Sequence, residues 1–165
     1  MLALLASRAI PVFTAASRPA QVAEAAERIA AALRFARDEA LRTGTAYGVA
    51  FTPGTVTDTF KGYVLDSAAP PMPQYTVRQP LSRQLYSETL GAGSTFPDAR
   101  LEAQPVVTAS GNSSALSFSA DGAPAITQGA ALLRLSGTSA RVRVSAGVLS
   151  RDVLVAVETG RITVQ

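Results

Sequence analysis

The spacing of apolar residues changes at Gly44, from the period of an α-helix to that of a β-strand. Ahead of Gly44, apolar residues recur every three or four positions and form one stripe, made of Val22, Ala26, Ile29, Leu33, Ala36 and Ala40. Beyond it, apolar and polar residues alternate in short runs between turn residues, a pattern typical of strands that bury one face. We therefore predict an α+β fold in which one long N-terminal helix packs against antiparallel β-sheet.

The helix is predicted to run from residue 17 to residue 43. Ser17 is a good N-cap, Pro19 suits a first turn, and Gly44 is a favourable residue just beyond a helix C-terminus. We expect the apolar stripe to pack against the sheet and the charged residues around it to be solvated. The residues predicted to make this packing are Val22, Ile29, Leu33, Ala36 and Ala40.

The strands are clearest in the C-terminal third of the chain. Arg141 and Arg143 alternate with valines, and short turns follow at intervals too small for an intervening helix. Strands spaced so closely pair in the antiparallel sense. Pro105 predicts an edge or a bulge in an earlier strand, and the proline-rich residues 70–80 predict a surface connection rather than a central strand.

Two residue types that carry much of enzyme chemistry, His and Cys, are absent from the 165 residues. Their absence excludes a Ser-His-Asp triad, a Cys nucleophile, disulfides and thiolate metal sites within this chain. Asp121-Gly122 admits two interpretations, a metal-binding or catalytic carboxylate and a hairpin turn, and the turn is favoured. We predict one globular domain over residues 17–165 that is not an enzyme, with no catalytic residue, metal site or cofactor.

The first thirteen residues form an apolar segment interrupted only by Ser7 and Arg8. It is shorter than the roughly 20 apolar residues that span a bilayer. Two interpretations stay open: a partly buried or frayed start of the helix, and the second half of a membrane helix. In the second case the residues of the membrane and assembly helix are Leu2, Leu4, Leu5, Ile10, Pro11, Val12 and Phe13.

Four segments, in this order, resemble type IV pilin-like proteins, and more specifically the GspH/FimT family of H-type minor pseudopilins. They are "AIPVF" from Ala9, "IAAALRFARDEALRTG" from Ile29, "LSFSADGAP" from Leu116 and "TGRITVQ" from Thr159. The resemblance implies a structural subunit of the type II secretion pseudopilus. It also implies an inner-membrane protein with a periplasmic domain, which contacts other pseudopilins through the helix and one sheet edge and takes no small-molecule substrate.

The N-terminus departs from the family pattern, which has a basic leader, a Gly-Phe-Thr-Leu type cleavage site and a Glu soon after it. This chain shows none of them. If Pro11 matches the family proline, about a dozen residues of the mature helix precede this chain in the family pattern. We therefore interpret residues 1–16 as the remnant of the membrane and assembly helix, and assign neither processing nor the assembly glutamate to any residue.

An alternative function rests on the C-terminal basic residues. Exposed strand arginines discourage edge-to-edge pairing, but they also bind DNA phosphates. The tail resembles the Gly-Arg-x-Arg motif of FimT-type relatives in natural transformation: Gly160, Arg161 and Ile162 match it, but Thr163 stands at the position of the second Arg. This resemblance implies, as the alternative function, a type IV pilus minor pilin that binds DNA during natural transformation (a competence pilin). Nucleic acid is therefore a less favoured partner, and its candidate residues are Arg141, Arg143, Arg151, Gly160 and Arg161.

Overall fold

The computed structural model describes residues 2–66, 72–128 and 131–165, with side chains from Ser17 onward apart from Gln128. Within this part of the chain one helix precedes twelve strands. The elements are α1 (Leu2–Thr43), β1 (Tyr47–Thr52), β2 (Thr57–Leu65), β3 (Pro73–Gln74), β4 (Ser87–Gly91), β5 (Arg100–Thr108), β6 (Gly111–Ser113), β7 (Ala115–Phe118), β8 (Pro124–Gln128), β9 (Ala131–Arg134), β10 (Ser139–Ala146), β11 (Leu149–Ala156) and β12 (Ile162–Val164).

The helix ends where the sequence predicts and begins earlier. Gly44 adopts a φ of 67° and donates its N–H to the Ala40 carbonyl at 3.0 Å, which is the left-handed helix cap that glycine favours. The helix predicted over residues 17–43 is present, and its helical backbone continues N-terminally to Leu2, so Ser17 does not cap a helix start. Pro19 lies inside the helix, where it has no N–H to donate to the preceding turn and its ring crowds the carbonyl four residues earlier.

The strands form two sheets, and every pair among the described residues is antiparallel, as predicted. The first sheet has the order β3-β2-β1-β7-β8-β9, with β4 also pairing with β2. The second has the order β12-β11-β10-β5-β6. The fold is therefore α+β and pilin-like in outline, with one N-terminal helix on antiparallel sheets.

Pro105 and the described part of the proline-rich connection both lie at irregular places in the sheets. Pro105 lies in a bulge, because the pairing of β5 with β10 jumps from Val106 to Leu101 between Val142 and Val144. The proline-rich connection includes the two-residue strand β3, which pairs with the outer side of β2. Residues 70 and 71 of that connection lie outside the described residues.

The core lies between the helix and both sheets. Helix α1 contacts β1, β2 and β7 of the first sheet and β10, β11 and β12 of the second. Alanines at 25, 30 and 32 are buried beside the predicted stripe, so the buried face of the helix is wider than the stripe alone. Small side chains on this face let the helix lie close to two sheets at once, and the larger Phe51, Phe60 and Phe118 fill the sheet side.

Candidate functional site

The predicted packing residues of the helix are all buried. Ile29, Leu33 and Ala40 are fully inaccessible to solvent, and Val22 and Ala36 are 2% and 3% exposed. They belong to the same hydrophobic cluster as residues of both sheets. The helix face that the sequence indicates is therefore occupied by the chain's own core in this domain.

The N-terminal candidates have a helical backbone, but their side chains lie outside the described residues. This applies to Leu2, Leu4, Leu5, Ile10, Pro11, Val12 and Phe13. Among the residues that the structure describes, no helix combines the length and the hydropathy required to cross a membrane.

Asp121-Gly122 forms a hairpin turn between β7 and β8, as the favoured interpretation has it. The Ser119 N–H donates to the Ala123 carbonyl at 2.9 Å, and Gly122 has a φ of 76°. Hydrogen bonds from the Ser119 hydroxyl and the Ala123 N–H lower the pKa of Asp121, which also pairs with Arg134. The Asp121 carboxylate therefore stabilises the turn in which it lies.

Arg141 and Arg143 lie on the face of the second sheet that points away from the core. Their neighbours Val142 and Val144 are fully buried, and Arg143 is directly opposite Asp152 on β11. Arg143 donates to both oxygens of Asp152, at 2.6 and 2.8 Å, and lies 3.6 Å from a Glu102 oxygen. The hydrogen bonds that Arg143 donates to Asp152 raise the pKa of Arg143 and lower the pKa of Asp152. Arg143 is thus largely neutralised inside the chain.

Arg151 and Arg161 lie at different levels along the helix. Arg151 is opposite Val144 and lines a small cleft with Pro19 and Val22. Arg161 lies beside Arg37. Arg37 comes 15 residues after Val22 in the helix, so the two positions are about 22 Å apart along its axis. The structure therefore distributes the four candidate arginines over three places and does not bring them together on one surface.

Arg161 instead forms a recess with two helix arginines. We call this site the arginine recess; it has a volume of about 410 Å³ and is lined by Arg34, Arg37, Asp38, Thr159, Arg161 and Ile162. Arg37 Nη2 donates to the Thr159 carbonyl at 3.0 Å, and Arg34 Nη2 reaches the Ile162 carbonyl at 3.5 Å. Sequence reasoning missed Arg34 and Arg37 because more than 120 residues separate them from the strand end they meet.

Gly160 shapes this recess. Its backbone has a φ of 64°, and a Cβ placed on it would lie 2.8 Å from Arg37 Nε and 2.9 Å from the Gly122 carbonyl oxygen. Glycine is therefore required both for the turn and for the close approach of the turn to the helix. The role that the structure gives Gly160 is to let the final turn pack on Arg37.

A second polar site, also missed from the sequence, joins the two sheets. The carboxylate of Asp58, which is fully buried, accepts hydrogen bonds from Arg100 Nε and Nη2 at 2.9 Å each, from Gly54 N–H at 2.8 Å and from Leu101 N–H at 2.6 Å. Burial alone would raise the pKa of Asp58, but the bonds from Arg100, Gly54 and Leu101 outweigh it and the pKa lies below its usual value. The arrangement is structural, since the donors satisfy both carboxylate oxygens.

The sequence model of one protein family, described as type II transport protein GspH, matches residues 25–148. The match covers the helix from Ala25 and the sheets as far as the turn after β10, and leaves Arg151, Gly160 and Arg161 outside it. No curated protein and no solved structure matches the chain.

Proposed function

The chain belongs to the GspH family of type II transport proteins, and from that premise we propose that it is a minor pseudopilin, a structural subunit of the type II secretion pseudopilus. The observation that carries the proposal is the family match over most of the chain, together with the one-helix, two-sheet architecture. The role proposed is assembly in a short filament that serves protein export across the outer membrane.

The helix supports a role in assembly. From Val22 to Ala40 its apolar face is buried in the domain, and the helical backbone continues in the other direction to Leu2. We propose that residues 1–16 belong to the part of the helix that anchors the subunit in the inner membrane and packs against other pseudopilins. The domain formed by residues 17–165 would then lie in the periplasm.

The polar sites support a structural role over an enzymatic one. Asp58 and Asp121 are held by hydrogen bonds within the chain. The Ser119 hydroxyl that donates to Asp121 also contacts the Ala123 carbonyl, so both groups belong to the hairpin turn. Among the described residues, no group of three or more acidic side chains is arranged to hold a metal ion. We propose a protein that acts through binding to other subunits rather than through catalysis.

The charge distribution favours the secretion role over DNA capture. Arg143 is paired with Asp152 and Glu102. Arg151 and Arg161 lie beside two positions of the helix that are about 22 Å apart along its axis. Phosphates of a duplex are bound by several basic side chains on one surface. The formal net charge of +3 adds little long-range attraction.

The test is deletion of the gene in the bacterium that encodes it, followed by mass spectrometry of the culture medium. We expect the set of exported proteins to fall in the deletion strain and to return when the gene is restored, with natural DNA uptake unchanged. Normal export together with lost DNA uptake would contradict the proposal and make the competence pilin the better assignment.

A further inference from the structure

We propose that the arginine recess binds a carboxylate from an acidic segment of a neighbouring filament subunit. That the carboxylate belongs to a neighbouring filament subunit rests on the proposed function, whereas the preference for a carboxylate rests on the residues of the recess. The recess lies where the last turn of the chain packs on the helix, and most of its lining is polar or charged.

The recess holds an uncompensated positive charge. Three guanidinium groups, those of Arg34, Arg37 and Arg161, line it. Two carboxylates offset them in part: Asp38 lines the recess, and Glu27 lies 3.5 Å from Arg34. One net positive charge remains. Among the described residues, neither Arg37 nor Arg161 takes part in an ion pair, and the buried Nε of Arg37 has no hydrogen-bond acceptor.

Two of the three arginines, Arg34 and Arg37, are held in place before any ligand arrives. Arg37 and Arg34 each donate to a backbone carbonyl of the C-terminal segment, and Gly160 packs directly against the Arg37 side chain. The turn itself is fixed by the Gly160 N–H, which donates to the Ala156 carbonyl at 2.8 Å. Donors that are already oriented lose little conformational entropy when an anion binds, so a single carboxylate gains more from this site than from solvated arginines.

A carboxylate fits the recess better than a nucleic-acid backbone does. One net positive charge matches one carboxylate, and the planar fork of an arginine pairs with its two oxygens. A chain of phosphates would bring several negative charges close to Asp38 and Glu27. The remaining candidate arginines also lie elsewhere: Arg143 is on the far face of the second sheet, and Arg151 is about 22 Å away along the helix.

The binding test compares two fluorescently labelled probes, a hexaglutamate peptide and a 12-base-pair DNA duplex, by anisotropy on the 165-residue chain. Arg161→Gln removes a charge from the recess, and Arg151→Gln is its matched control because it removes the same charge from another exposed site. We expect the peptide to bind wild type and Arg151→Gln alike and Arg161→Gln roughly tenfold more weakly. Unchanged thermal melts check that both variants are folded.

Three outcomes overturn the inference. The first is a peptide that does not bind wild type, and the second is an equal loss of affinity in the two variants. The third is a duplex that binds more tightly than the peptide and loses that affinity in Arg161→Gln. The last outcome assigns the recess to nucleic acid.

A photo-crosslinking experiment in cells distinguishes a failure of this inference from a failure of the proposed function. The chain has no cysteine, so Thr159→Cys at the rim of the recess gives a single attachment point for a photo-crosslinker. We expect a crosslink to another pseudopilin that disappears when Arg161→Gln is added. If that crosslink is missing while gene deletion still abolishes export, the recess inference fails and the proposed function stands. If deletion leaves export intact, the proposed function fails, and with it the filament neighbour.

Discussion

Asp58 joins the two sheets through one buried carboxylate. Removing it leaves the Leu101 and Gly54 N–H groups without their acceptor and takes the carboxylate partner from Arg100, which keeps the Thr55 and Gly54 carbonyls as acceptors. We expect Asp58→Ala to lower the free energy of unfolding by about 2 kcal/mol, because it leaves two backbone N–H groups without their acceptor while Arg100 stays partly solvated. Urea unfolding measures the change. Glu24→Gln is the control: it breaks an exposed pair with Arg28, and we expect less than about 1 kcal/mol. Equal losses in both variants would contradict this assignment.

The same carboxylate predicts how stability depends on pH. The folded pKa of Asp58 is lowered, so the folded state binds fewer protons than the unfolded state as pH falls below about 4. The stabilisation is therefore fully present near neutral pH and is lost as pH falls through the folded pKa. We expect the melting temperature of wild type to fall more between pH 6 and pH 3 than that of Asp58→Asn. Parallel curves for the two proteins would show that Asp58 does not contribute.

At the scale of elements, the buried face of α1 is the feature with the largest energetic consequence. Leu33 is fully buried between the helix and the sheets. We expect Leu33→Asp to lower the free energy of unfolding by several kcal/mol, because it buries an unpaired charge. Ala31→Asp places the same charge on the exposed face two positions away, and we expect a cost below about 1 kcal/mol from helix propensity alone. Thermal melts of the two variants that coincide would contradict the assigned face.

The end of the helix gives a second test at this scale. A Cβ on Gly44 would meet no atom within 4 Å, so any effect of a substitution there is conformational rather than steric. We expect Gly44→Ala to cost about 1 kcal/mol, because its φ of 67° is unfavourable for alanine. Gly44→Asn should cost less, since asparagine tolerates the left-handed region better. Chemical denaturation of the three proteins gives the order, and an alanine variant as stable as wild type would rule out the cap.

At the scale of the whole molecule, the placement of charge sets how strongly the domain attracts nucleic acid. Each neutralised phosphate contributes about −0.9 to the slope of log affinity against log salt. Because Arg141 and Arg143 share one face and Arg151 and Arg161 lie elsewhere, we expect a slope no steeper than about −2 and no measurable duplex binding at physiological salt. Fluorescence anisotropy over a salt series measures it. A steep slope that becomes shallow in Arg161→Ala would favour the competence role.

The sequence by itself determined the features that depend on local spacing. The apolar stripe gave the helix and its buried face, Gly44 gave its end, and the Asp121-Gly122 dipeptide gave a hairpin turn. These follow from interactions over a few residues, where side-chain period and backbone preference decide the conformation. The same local signals, Ser17 and Pro19, indicated a helix cap that the structure does not use, because the helical backbone continues through them to Leu2.

Only the tertiary structure decided which distant residues meet. The division of the strands into two sheets depends on strand order and register, which no local period encodes. Arg100 reaches Asp58 across 42 positions and two sheets, and Arg37 reaches Thr159 across 122. The sequence grouped Arg161 with Arg141, Arg143 and Arg151 because they are neighbours along the chain. Folding separates them, since alternate positions of a strand face opposite sides of the sheet and the last turn packs on the helix.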